Sequence, residues 1–200
     1  MNRDEVFLRA NSIEGWFQPE DMKTMWNLVM EKVPENGLVV EVGSWKGRSS
    51  FVIGAACKTK NARVICIDTF KGLVDPGHEK WKLYHGENGY YKQGNEGSIL
   101  FETKENLEAL DNITLWEGSS TELYKKLKNE SADLIFLDGD HDMPVLGQDL
   151  KNFYPKLKPG GYYCGHDYEV GNNVATEVDK MFPQVELRYT IWGVTKPLDK

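Results

Sequence analysis

The chain has 200 residues, of which 40% are hydrophobic and 28% charged, and a formal charge of -7. That length and composition support a self-sufficient core, which excludes intrinsic disorder and any need for disulfide or metal staples. The acidic balance excludes nucleic acid as a general partner, because such affinity begins with clustered Lys and Arg releasing counterions.

From Pro19 onward, apolar residues recur at helical spacing (Met22, Met25, Trp26, Val29, Met30, Val33) behind an acidic start at Glu20 and Asp21. This predicts an N-terminal covering helix over about 19–33. Leu38 to Val42 is a short β-rich run ending at Gly43 and reads as a buried strand, followed by a helix from about Gly47 to Lys58. The alternation continues with a strand from Arg63 to Asp68, a helix near Ser98 to Leu110, a strand from Ile113 to Trp116, a helix from Glu122 to Lys128 and a strand from Asp133 to Asp138. A helix from Pro144 to Leu157 is expected to stop at Lys158-Pro159-Gly160-Gly161. A strand from Tyr162 to Gly165 comes next, then a helix presenting Val174, Val178, Met181 and Phe182 on one side. Val185 to Tyr189 and Ile191 to Thr195 would close the sheet as an antiparallel hairpin. The pattern predicts one α/β domain over residues 1–200, a doubly wound, mostly parallel sheet with helices on both faces.

Residues 71–97 break the alternation. They hold six glycines and four aromatics without an apolar period, where a βα connection usually takes roughly 2 to 6 residues. Trp81, Tyr84, Tyr90 and Tyr91 offer flat contact surfaces and the glycines permit closure, so this insertion is expected to cover a bound small molecule. His78 and His85 in the same segment read as solvated histidines. Cys57, Cys66 and Cys164 lie in apolar runs and read as reduced structural thiols. No secretory segment follows Arg3-Asp4-Glu5, and nowhere do eighteen apolar residues run together. A cytoplasmic protein with no membrane partner is expected, with assembly into a homo-oligomer left open.

The chemistry concentrates at the ends of the predicted strands. In Glu41-Val42-Gly43-Ser44-Trp45-Lys46-Gly47-Arg48-Ser49-Ser50, two glycines let the backbone turn sharply against a ligand, and the following helix offers free N–H groups. A dinucleotide fingerprint needs closer glycine spacing, and Glu41 would repel a pyrophosphate. S-adenosylmethionine suits the loop better, since its ammonium seeks a carboxylate and its carboxylate seeks helix N–H groups. Asp68, ending the second strand, can accept both ribose hydroxyls of an adenosine, a device shared with NAD enzymes. Gly118-Ser119-Ser120 after the third strand fits either the adenine side of the ligand or a helix N-cap. Trp16, Trp26, Trp116 and Trp192 read as packing residues, whereas Trp45, inside the glycine loop, could stack on the cofactor. Lys125, Lys126 and Lys128 form a solvated helix face.

Together with Leu134-Ile135-Phe136-Leu137-Asp138-Gly139-Asp140-His141 and Leu157-Lys158-Pro159-Gly160-Gly161, the glycine loop resembles that of the class I S-adenosylmethionine-dependent methyltransferases. The likeness runs from about Glu14 to Trp192 and is greatest to small single-domain O-methyltransferases. It implies a seven-stranded Rossmann-like sheet and methyl transfer to a hydroxyl group of a small, sugar- or natural-product-like acceptor. It also implies that Glu41 lies near the methionine ammonium and Ser49 near its carboxylate, with Asp68 at the ribose and Ser119 at the adenine, while Gly43, Ser44, Trp45, Gly47 and Asp138 complete the cofactor site. Two other readings stand beside it: an NAD(P)-dependent oxidoreductase, and an S-adenosylmethionine-binding protein without activity.

Methyl transfer requires that the acceptor oxygen be aligned and lose its proton. Asp138, Asp140, His141 and Asp142 follow the fourth strand, and His166 and Asp167 follow the fifth, so these groups can converge. In the similar catechol-type enzymes, an acid after strand four and an Asp-Asn pair after strand five hold a divalent ion, and a lysine takes the proton. Here Asp138 matches the first ligand, His166-Asp167 replaces the pair and His141 stands in the lysine's place. His141 is therefore the expected general base, with Mg²⁺ or another divalent cation at Asp138 and Asp167.

Overall fold

The computed structural model describes residues 1–71, 98–141 and 144–198. The expected covering insertion, with Trp81, Tyr84, Tyr90 and Tyr91, lies outside the described residues, as does Asp142. In chain order the elements are α1 (Arg3–Ser12), α2 (Pro19–Lys32), β1 (Leu38–Val42), α3 (Arg48–Lys58), β2 (Arg63–Asp68), α4 (Leu100–Leu107), β3 (Ile113–Glu117), α5 (Ser120–Leu123), β4 (Ala132–Leu137), α6 (Val145–Phe153), β5 (Leu157–Gly165), α7 (Asn173–Met181), β6 (Glu186–Arg188) and β7 (Ile191–Thr195). The seven strands form one sheet in the order β3-β2-β1-β4-β5-β7-β6. β7 runs antiparallel to both β5 and β6, and the other pairs are parallel. The expected doubly wound α/β sheet and its closing hairpin are both present.

β4 is buried along its whole length. Its alternation divides the interior: Leu134 and Phe136 join the core under α1, α2 and α3, and Ile135 and Leu137 join the core under α6 and α7. In the first core, Met22, Met25 and Leu28 of α2 and Phe51, Val52 and Ile53 of α3 are all within 1% of full burial. In the second, Tyr163, Phe182 and Trp192 meet with ring centroids 5.8 to 6.2 Å apart. Each such side chain contributes roughly 1.5 to 3 kcal/mol by leaving water.

Four elements depart from the sequence reading. α1 was not anticipated, because few of its residues are apolar and only Val6 and Ala10 are buried; it forms behind a capping box in which Asn2 and Glu5 bind each other's main chain. The helix expected over Glu122 to Lys128 is one turn, Ser120–Leu123, followed by a 3₁₀ turn at Tyr124–Lys126. The helix expected to reach Leu157 ends at Phe153 and passes through a 3₁₀ turn at Tyr154–Lys156, where Pro155 removes an N–H. Lys158-Pro159-Gly160-Gly161 does not precede the fifth strand but lies within it, where the register against β4 shifts between Ala132 and Leu134. Proline and glycine are tolerated at such an irregularity.

The strand order reverses between β1 and β4, and open α/β sheets bind ligands at the carboxyl ends of the strands beside such a reversal. Among the described residues, those singled out above for chemistry lie along that edge.

Candidate active site

Glu41 on β1 is fully buried beneath the glycine loop. Ser49 Oγ donates to its Oε1 at 2.6 Å, Ser44 Oγ donates to Oε2 at 3.0 Å, and Ser50 Oγ donates to Oε2 as well. The carboxylate predicted to face the methionine ammonium and the serine predicted to face its carboxylate are thus bonded to each other. Burial pushes the Glu41 carboxyl up to about 7, against the lowering effect of the serine hydroxyls. The unfolded chain loses this proton near 4.5, so Glu41 favours the folded state at low pH, and that contribution is lost as pH rises from there to about 7. The loss is on the order of 3 kcal/mol. Urea unfolding at pH 5 and pH 8 is expected to show a Glu41→Gln chain gaining on the native one by about that amount at the higher pH. An equal difference at both values would mean that Glu41 does not titrate in this range.

The loop above Glu41 is held in conformations that favour glycine, with φ of +88° at Gly43 and +93° at Gly47. Trp45 adopts φ 49° without being glycine, a strained position of the kind that clusters at ligand clamps. Asp68 on β2 holds the loop from the side: its Oδ2 accepts Ser44 N–H at 2.7 Å and Trp45 N–H at 2.9 Å, and its Oδ1 accepts Phe70 N–H at 2.6 Å. Burial and the neighbouring Asp138 raise the Asp68 carboxyl, and the backbone donors oppose them. Trp45 packs beside Phe70 and Ile99, its ring tilted against Trp16 at 5.5 Å. Ser119 is the N-cap residue of α5 but makes no side-chain cap bond; its hydroxyl pairs with Thr121 at 2.8 Å.

The structure brings together the acids and histidines after β4 and β5. One ligand atom from each of Asp138, His141 and Asp167 lies within 4.8 Å of the others. His141 Nε2 is 3.3 Å from Asp167 Oδ2 and 3.9 Å from Asp138 Oδ1, and its side chain is 43% exposed. His166 is buried behind them, with Nδ1 3.4 Å from Asp138 and 3.2 Å from Asp167. Its Nε2 faces Asp21 Oδ2 at 3.2 Å, an ion pair rather than an aligned hydrogen bond. Burial works against charge on the ring, but its contacts with Asp138, Asp167 and Asp21 outweigh burial and push it up to about 12. Asp167, also at a left-handed φ of 57°, is held low by His166 despite its burial.

Several residues of this edge carry no local signal in the sequence. Lys46, buried inside the loop, pairs with Glu14 at 2.7 Å and Glu102 at 3.1 Å. Arg48 donates to the main-chain oxygens of Ile13, Phe17 and Asn11 at 2.6, 3.1 and 3.1 Å, tying the segment before α2 to the start of α3. Asp149 on α6 accepts from Ser120 Oγ at 2.9 Å, its other oxygen is without a partner, and burial pushes it up to about 6. Their partners lie far away in the chain, beyond the reach of a motif. Cys57, Cys66 and Cys164 are free and buried, as anticipated. Among the described residues, no helix is long and apolar enough to cross a membrane.

Comparison with known proteins bears on this edge directly. Residues 40–168 match a family described as a methyltransferase domain. An uncharacterized protein of Sinorhizobium fredii is 29% identical over 134 residues, 66% of this chain; the chain spans only 13% of that protein's length. The O-methyltransferase NovP superposes with a TM-score of 0.62 at 18% identity, covering 90% of this chain and 80% of its own. The precorrin-6y C5,15-methyltransferase of Geobacter metallireducens gives a TM-score of 0.61 at 14% identity, covering 88% and 79%.

Proposed function

We propose that this chain, which belongs to the methyltransferase-domain family, moves the methyl group of S-adenosylmethionine onto a hydroxyl oxygen of a small molecule. The observation that carries the reading is the convergence of Asp138, His141 and Asp167 at the sheet edge beside the glycine loop. The loop of Gly43, Ser44, Trp45 and Gly47 holds the cofactor. Glu41 and Ser49 shape it from below, Asp68 takes the ribose hydroxyls, and Ser119 lies at the adenine. When bound, S-adenosylmethionine supplies a sulfonium methyl open to in-line displacement. The acceptor hydroxyl lies against His141, whose exposed ring accepts its proton, while Asp138 and Asp167 orient that ring.

The same acids suit a divalent cation. The two carboxylates of Asp138 and Asp167 offer oxygen ligands that Mg²⁺ or Mn²⁺ accepts, leaving His141 for the proton. Such an ion, held by Asp138 and Asp167, would make a bound hydroxyl more acidic by lowering its pKa. The test is incubation with S-adenosylmethionine and a panel of sugars, phenols and hydroxy acids, followed by mass analysis for replacement of one hydrogen by methyl. Turnover unaffected by EDTA would leave a metal-free, histidine-driven enzyme. Failure of every hydroxylated acceptor, with methylation of a carbon or nitrogen acceptor instead, would overturn the oxygen assignment.

Cofactor binding is testable without an acceptor. S-adenosylhomocysteine is expected to bind in the micromolar range, about 7 to 8 kcal/mol. Asp68→Ala should weaken it at least tenfold by removing charge-assisted hydrogen bonds worth roughly 1.5 to 3 kcal/mol. Unchanged affinity by calorimetry would remove Asp68 from the cofactor site.

A further inference from the structure

We propose that Asp21, on the N-terminal helix, is a positioning residue of the reaction centre: it fixes the far nitrogen of His166 so that the near nitrogen braces Asp138 and Asp167. This rests on the functional reading given above. Asp21 lies outside residues 40–168, the span shared with the family, yet it is 1% exposed and at the end of a continuous polar chain. That chain runs from Asp21 Oδ2 to His166 Nε2 at 3.2 Å, from His166 Nδ1 to Asp138 and Asp167 at 3.4 and 3.2 Å, and from Asp167 to His141 Nε2 at 3.3 Å.

A helix-capping role alone does not account for Asp21. Capping needs one oxygen, and Gln18 N–H donates to Oδ2 at 2.8 Å. Caps ordinarily sit at the surface, whereas a fully buried carboxylate is costly unless its remaining acceptor sites are filled. Here Thr190 Oγ1 donates to Oδ1 at 2.6 Å from the turn before β7, and His166 Nε2 lies 3.2 Å from Oδ2. Asp21 is therefore held from two sides by segments distant in the chain, and its free direction is spent on the imidazole. The Phe17 ring, tilted against His166 at 5.3 Å, limits rotation of that imidazole. With carboxylate oxygens within 3.4 Å of both nitrogens and Phe17 against its face, turning the His166 ring would separate these polar contacts, so the carboxylates that meet His141 keep their places. This is how an outer partner tunes groups that touch the reacting atoms.

The test uses the full chain labelled with ¹⁵N in its histidine rings, at one fixed pH, with His141 and His166 assigned by single His→Gln variants. Asp21→Asn keeps the shape and removes the charge. It is expected to shift both ring nitrogens of His166 and also the ring of His141, which Asp21 does not touch, and to leave S-adenosylhomocysteine affinity within about twofold. With an acceptor in hand, kcat should fall at least tenfold at an unchanged KM for S-adenosylmethionine, in the range typical for loss of an outer partner. Should Asp21→Asn fail to fold, Thr190→Val, which keeps the carboxylate but frees one oxygen, should shift the same signals by less. A His141 signal that stays in place, or an unchanged kcat, would reduce Asp21 to a helix cap and overturn the proposal. If the native chain methylates nothing, the functional reading fails, while the ring signals still decide whether Asp21 positions His166.

Discussion

Gly43→Ala is expected to give a chain that no longer binds S-adenosylhomocysteine measurably and is destabilised by at least about 4 kcal/mol, beyond the range of ordinary substitutions. A Cβ at Gly43 would lie 2.0 Å from the Asp138 carbonyl oxygen, 2.4 Å from its carbonyl carbon and 2.6 Å from Gly139 Cα. All three are main-chain atoms and cannot swing aside. Nor can the strands separate cheaply, because Gly43 N–H donates to Ile67 O at 2.9 Å and Asp138 N–H donates to Val42 O at 2.7 Å. Gly171 provides the control: its φ is +92°, yet nothing lies within 4 Å of the added carbon. Gly171→Ala should therefore cost only the left-handed strain, about 1 kcal/mol. Denaturant titration of the two variants separates the terms, and equal destabilisation would mean that the contact between β1 and β4 is not what requires glycine.

The second large effect is expected at His141. His141→Ala should lower kcat by roughly 10² or more with cofactor affinity unchanged, the loss typical of removing a general base. The geometry separates the two histidines of the cluster: His166 is 7% exposed with a carboxylate oxygen 3.2 Å from each nitrogen, whereas His141 is 43% exposed with one nitrogen 3.3 Å from Asp167. Only His141 can present a nitrogen to an acceptor from the crevice. His166→Gln should act differently, disturbing the placement of Asp138 and Asp167 and so raising the acceptor KM as well as lowering kcat. Full turnover by the His141→Ala enzyme would remove this residue from the chemistry, and attention would pass to Asp138.

The parallel core of the sheet was legible because a strand buried on both faces must be largely apolar, and the strands read over Leu38 to Val42 and Asp133 to Asp138 contain Leu38-Val39-Val40 and Leu134-Ile135-Phe136-Leu137. The glycine loop, Asp68, Asp138, His141 and Asp167 were legible for the same local reason, each being fixed by the end of a strand. Illegibility had two physical sources. In Lys158-Pro159-Gly160-Gly161, residues that normally break structure are carried inside β5 by long-range pairing, with Gly160 N–H donating to Lys196 O and Lys196 N–H to Gly161 O, both at 2.9 Å. Asp21 reads locally as the acidic start of a helix; that it faces His166 depends on how α2 crosses the sheet, which no periodicity encodes. Glu41 combines both cases, being correctly placed at the strand end yet turned inward by the hydroxyls of Ser44, Ser49 and Ser50.

The grip of Arg48 on residues 11–17 has an evolutionary corollary. The guanidinium takes main-chain oxygens of Asn11, Ile13 and Phe17, which every amino acid possesses. Even Gly15 is not demanded by the contact, since a Cβ there would meet the Arg48 side chain no closer than 3.4 Å. This contact therefore fixes the path of the segment without fixing its letters; Ile13, Glu14, Trp16 and Phe17 are held to their identities by other contacts, in the core, with Lys46 and against Trp45. Among descendants of a common ancestor, the Arg48 bonds alone would require Arg48 to persist and would leave the residue types at 11, 13 and 17 open, so this tie would leave no mark on the stretch it holds.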